Sequence, residues 1–89
     1  MKSKNHKAIT DKERIHMAAV KALSCGVCGI PGPSDAHHIE QQKHFLVIPL
    51  CKSCHQSNFN GIHGLARIWS AYKTTEMSVL NETIARVYA

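Results

Sequence analysis

Two Cys-x-x-Cys pairs, Cys25/Cys28 and Cys51/Cys54, use all four cysteines of the chain. Two residues between the thiols let both sulfurs of a knuckle reach one ion at about 2.3 Å, and two such knuckles complete a tetrahedral Zn(Cys)4 site. Residues 29–50 separate the pairs, slightly more than the usual zinc ribbon, and they carry Asp35-Ala36-His37-His38-Ile39. Beyond the second knuckle come His55 and Gly61-Ile62-His63-Gly64. Disulfides are the competing use for the thiols, but they belong to secreted chains, and no apolar leader follows Met1. A thioredoxin-type redox pair fits no better, since neither Cys-x-x-Cys stands between a strand and a helix of a βαβ pattern. The cysteines therefore point to a structural zinc.

A chain of 89 residues makes one small domain that buries only about 60–65% of its unfolded surface, so a metal staple is a sensible supplement to its core. The 44% apolar content, with charge scattered along the chain, argues for a folded domain. No apolar run approaches the roughly 18 residues of a membrane span. With no leader and no span, the expectation is a cytoplasmic protein. The net charge of +5, with seven histidines uncounted, favours a polyanionic partner such as nucleic acid.

The elements that must position these residues follow in order. Residues 1–9, with Lys2, Lys4 and Lys7, read as a basic mobile arm able to follow a phosphate backbone, or as a frayed terminus. Residues 10–89 then form a single domain. Thr10-Asp11-Lys12-Glu13 is a capping-box pattern. Behind it Ile15, Ala18, Ala19, Ala22 and Leu23 recur at helical spacing, predicting a helix over 11–23 with that stripe in the core and His16 on the surface. The glycines of the first knuckle let the chain turn around sulfur, and the prolines of Ile30-Pro31-Gly32-Pro33-Ser34 make a loop.

Two short strands, 35–40 and 44–50, are expected next, joined by Gln41-Gln42-Lys43 and with Pro49 marking the end of the second. The second knuckle should open a short helix to about Asn58, with a turn at Asn60-Gly61. Leu65, Ala66, Trp69 and Tyr72 share one helical face; Met77, Leu80, Ile84 and Val87 share another. A break near 74 and a Thr75 cap separate the two helices. Trp69 reads as a core anchor rather than a platform for stacked bases. The predicted class is α+β, a zinc-stapled unit flanked by an N-terminal helix and C-terminal helices.

Cys-x-x-Cys, then His-His-Ile on a strand, then Ile-Pro-Leu-Cys-x-x-Cys-His opening a helix resembles the HNH (ββα-metal) endonucleases. More narrowly, the His16-Met17 helix, His37-His38-Ile39, Val47-Ile48-Pro49-Leu50-Cys51 and Gly61-Ile62-His63-Gly64 resemble the phage recombination-enhancement nucleases. The motif core spans residues 25–64, with modest support from the helical flanks. The resemblance implies an HNH ββα-metal finger and an endonuclease that leaves 5′-phosphate and 3′-hydroxyl ends. It also implies a phage- or prophage-encoded protein in a bacterial host, acting on DNA with a RecA-type recombinase filament.

Hydrolysing a phosphodiester requires a base for water, a cation for the charge growing on the phosphoryl oxygens, and help for the leaving oxygen. His38 is the candidate base, because a neutral imidazole titrates near working pH. His37, His55 and His63 are candidate ligands of one catalytic metal, and the family pattern places the ligand first and the base second in the His-His pair. Neighbours on an ideal strand point to opposite faces, so the pair serves one site only where the strand bends or ends. Many relatives carry Asn on the helix side, which leaves that ligand between His55 and Asn58. Asp35 is assigned to orient a histidine or to accept loop amides. An imidazole-rich site leans to Zn2+, Ni2+ or Mn2+, whereas HNH relatives commonly use Mg2+. His6, His16 and His44 are expected to face solvent. Lys2, Lys4, Lys7, Lys43, Lys52 and Arg67 are the candidate DNA contacts, with no recognition helix that would read bases.

Two other functions compete with the nuclease. One is a zinc-stabilised DNA-binding module without catalysis; the other is a zinc-knuckle adaptor that docks a protein through its C-terminal helices. The His37-His38 pair and His63 favour the nuclease, because binding alone needs no base beside a ligand cluster.

Overall fold

In a computed structural model, residues 8–55 and 69–89 are described. Lys2, Lys4, His6, Lys7, Asn58, Asn60, His63, Leu65, Ala66 and Arg67 lie outside the described residues, as does most of the arm expected over 1–9. The elements are α1 (Asp11–Lys21), β1 (Asp35–His38), β2 (Val47–Leu50), α2 (Lys52–His55) and α3 (Glu76–Val87). The fold is α+β, with one two-stranded antiparallel sheet and helices packed against it. Among the described residues no helix is long and apolar enough to cross a membrane.

The capping box forms as expected, with Thr10 Oγ1 accepting from the Glu13 amide and the Glu13 carboxylate accepting from the Thr10 amide. The buried stripe of α1 is a different one. Ile15 is exposed, as are Ala18 and Ala22, whereas His16 and Val20 are buried. His16 is therefore no surface residue. Its ring lies between Phe45 and Tyr88, with centroids 5.2 and 5.9 Å away. The aromatic contacts reward burying an imidazole, and the i, i+4 spacing carries Val20 in with it.

The strands are shorter than expected. Two successive turns, Lys43 N to Glu40 O and Leu46 N to Lys43 O, with Gln42 at φ 65°, use the residues between them. The register pairs Asp35 with Leu50, Ala36 with Pro49, His37 with Ile48 and His38 with Val47. Pro49 sits inside β2 rather than ending it. Ile39 N donates to Leu46 O, so the hydrogen-bonded rungs are His37/Ile48 and Asp35/Leu50. Pro49 falls between them, where its nitrogen faces away from β1. On that outer edge its carbonyl accepts the Gly26 amide at 2.8 Å.

All four residues of β2 are buried. Ile48 and Leu50 join Cys25, Cys51, Cys54, Val79 and Leu80 in one core, with Trp69 packed at its edge. Gly26 lets α3 approach the first knuckle, since a Cβ there would stand 2.5 Å from Val79 Cγ1.

Residues 69–71 are helical, and the chain then reverses through Lys73 at φ 53°. Tyr72 is exposed and does not share a buried face with Trp69. The break near 74 and the Thr75 cap occur as expected, the Thr75 hydroxyl accepting from Ser78 N. On α3 the buried residues are Val79, Leu80 and Thr83, whereas Met77 and Ile84 are exposed. The expected apolar stripe included Leu80 but neither Val79 nor Thr83. The Thr83 hydroxyl donates to Val79 O at 2.7 Å, so Thr83 enters the core with its polar group satisfied.

Candidate metal centre and histidine cluster

The donor sulfurs of Cys25, Cys28, Cys51 and Cys54 lie within 4.8 Å of one another, and no other such donor group occurs among the described residues. Edges of a tetrahedral ZnS4 unit measure about 3.8 Å, and Cys28 and Cys51 Sγ stand 3.6 Å apart. That separation is far beyond the roughly 2.05 Å of a disulfide. Three of the four residues are buried.

The amides of Val27 and Cys28 point at Cys25 Sγ at 3.4 and 3.5 Å, which is what a Cys-x-x-Cys turn provides. Burial opposes ionisation of Cys25, but backbone amides directed at its sulfur outweigh it and bring the thiol down to about 7. Burial and the neighbouring thiols push Cys54 up, and burial likewise raises Cys28. Four crowded sulfurs cannot all become thiolates on their own, and a dication removes that conflict. The quartet is therefore suited to a structural metal such as zinc.

Beside it stands a second cluster. On β1, Asp35 and His37 share one face, and His38 takes the other. His37 and His55 meet edge to face with centroids 5.1 Å apart. Asp35 bridges two partners, with Oδ2 3.2 Å from His55 Nδ1 and Oδ1 3.2 Å from Lys52 Nζ. Burial works against the Asp35 carboxylate, yet the hydrogen bonds from His55 and Lys52 prevail and hold its pKa below the usual carboxylate value. His37 Nε2 lies 2.7 Å from Glu76 Oε2 in the first turn of α3.

His38 Nε2 is 3.0 Å from His44 Nδ1, and the rings stand edge to face. His44 is thus half-buried against His38 rather than facing solvent. Burial, then the charges of His44 and His37, lowers the pKa of His38. That favours the neutral ring, the form that accepts a proton.

The structure thus gathers Asp35, His37 and His55, and divides His37 from His38. Lys43 is exposed on the β1–β2 connection, and Lys52 is engaged by Asp35. Two partners were missed in the sequence, His44 for His38 and Glu76 for His37. The first is six residues away across a turn. The second is remote in the chain, and no local pattern announces it. Comparison with protein-family models, with curated proteins and with solved structures finds no significant match.

Proposed function

We propose that this chain is a zinc-stabilised, metal-dependent DNA endonuclease of the HNH (ββα-metal) kind. The observation that carries the reading is the His37–His55 pair. Two imidazoles bound to one tetrahedral ion at about 2.0–2.1 Å have ring centroids about 5 Å apart, and these rings are 5.1 Å apart. The pair stands on a strand and on a short helix that carries Cys54 of the second knuckle, so zinc at the cysteines would hold the His55 side of the pair in place. His63 is the third ligand in this reading, with His55 rather than Asn58 supplying the helix side.

A divalent ion at this pair would neutralise charge developing on the phosphoryl oxygens. His38 takes the proton from the attacking water, its neutral form favoured by burial. Asp35 keeps the Nδ1 proton on His55. In this reading the end of β1 at His38 lets a base beside the β1–β2 turn serve the same phosphodiester as a ligand held beside α3. DNA is the substrate, a RecA-type recombinase filament the partner, and a phage or prophage the source of the gene.

Nicking of supercoiled plasmid tests this, run with Mg2+, Mn2+, Zn2+ and Ni2+, with and without a recombinase filament. Wild type should nick, and His37→Ala and His38→Ala should not. A wild type inert under every condition would leave the zinc-stabilised DNA-binding module as the better account.

A further inference from the structure

Glu76 enters the histidine cluster from α3, far along the chain from β1, and its carboxylate contact is the shorter of the two in the cluster. Its Oε2 lies 2.7 Å from His37 Nε2, against 3.2 Å for Asp35 and His55. Both side chains are partly covered, 18% exposed for His37 and 34% for Glu76. The backbone under Glu76 is fixed. Thr75 caps the helix just before it, and Val79, Leu80 and Thr83 bury the following turns. Gly26 admits Val79 at a distance no larger residue would allow. His37 is fixed as well, on a strand rung paired with Ile48.

A carboxylate only accepts, so the 2.7 Å contact places the proton on Nε2. In the neutral ring that leaves Nδ1 with the lone pair. On the other histidine, Asp35 holds the Nδ1 proton and leaves Nε2 with the lone pair. Each imidazole is thus braced by one carboxylate, and each offers one defined nitrogen. Metal-ligating histidines are commonly braced in this way through their second nitrogen.

We propose that Glu76 is a positioning residue for His37: it holds the Nε2 proton so that Nδ1 is the nitrogen His37 presents to a divalent cation. The proposal rests on the nuclease reading for the presence of that cation. The simpler role for the contact is an ion pair pinning α3 to β1, which would leave the choice of donor nitrogen untouched.

The test uses the full zinc-loaded chain as wild type, Glu76→Ala and Glu76→Gln. Long-range 1H–15N spectra of the histidine rings at mildly alkaline pH report the His37 tautomer. Electron paramagnetic resonance titration reports Mn2+ uptake. Wild-type His37 should carry its proton on Nε2. Glu76→Ala should mix the tautomers and weaken Mn2+ about 10–100-fold. Glu76→Gln, whose amide oxygen still accepts, should keep the tautomer and recover part of the affinity. A wild-type ring protonated on Nδ1, or Mn2+ affinity in Glu76→Ala within about threefold of wild type, overturns the proposal alone. A wild type that takes up no Mn2+ beyond its zinc overturns it together with the catalytic metal of the nuclease reading.

Discussion

His16 Nδ1 lies 2.9 Å from the Tyr88 hydroxyl, joining the first helix of the chain to its last turn. The imidazole is 4% exposed, and its Nε2 has no hydrogen-bond partner among the described residues. Together with Phe45 and Val87, the two rings line an open apolar groove of about 420 Å³. An imidazole buried with half its polar capacity unused is held by packing more than by hydrogen bonding. His16→Ala should therefore cost about 2–3 kcal/mol, mostly as a cavity. Tyr88→Phe should cost about 1 kcal/mol or less, because the Tyr88 side chain is well exposed. Urea melts in which Tyr88→Phe proves the worse of the two would refute the packing argument.

One zinc per chain should copurify with the protein and carry much of its folding free energy. Cys51→Ser should unfold the domain or lower its Tm sharply, since Cys51 belongs both to the sulfur quartet and to the core. Elemental analysis giving less than about half an equivalent of zinc, or a stable Cys51→Ser protein, would count against the quartet as a metal centre.

Gly26→Ala probes how α3 docks on the first knuckle. The new methyl would meet Val79 Cγ1 at 2.5 Å, an overpacking that should cost about 1–3 kcal/mol. Pairing it with Val79→Ala should relieve most of that strain. If the double variant is no better than the sum of the single ones, the contact is not what constrains the glycine.

His38→Ala should fold, keep its zinc and bind DNA, while cleavage falls by about two to four orders of magnitude. His37→Ala should lose cleavage through the metal, so excess divalent ion should recover part of its rate and none of the rate of His38→Ala. Acidity gives a second check. Burial, then the charges of His44 and His37, hold the pKa of His38 below its ordinary value of about 6.5, so a base at this position places the midpoint of the acid limb below about 6.5. The stability term has the same direction. The unfolded chain protonates first, so the contribution is complete above about 6.5 and declines as pH falls from there toward the lowered folded value. An acid limb well above 6.5 would place the base elsewhere.

DNA affinity should fall with salt at a slope of roughly −4 to −5, as expected for about five phosphate contacts. Deleting residues 1–7 should reduce the slope and weaken binding without changing the cleavage rate at saturating protein. A flat salt response would favour the protein-docking adaptor instead.

Local chemistry was legible in the sequence. Cys-x-x-Cys spacing places two sulfurs within reach of one ion whatever surrounds them, and the Thr10 and Thr75 caps depend on residues within three positions. The α+β class, the two strands and the break near 74 follow from similarly short-range preferences. Which helical stripe turns inward did not follow, because that choice belongs to the partner surface. Phe45 and Tyr88 draw in His16, and a back-bonded hydroxyl admits Thr83, where an apolar count chose Ile15 and Ile84. The histidine cluster divides along the same line. Strand alternation alone separates His37 from His38, but only the packing of α3 against β2 and α1 brings Glu76 to His37. A hydrogen bond between residues so far apart in the chain depends on the whole core between them, so no local pattern encodes it.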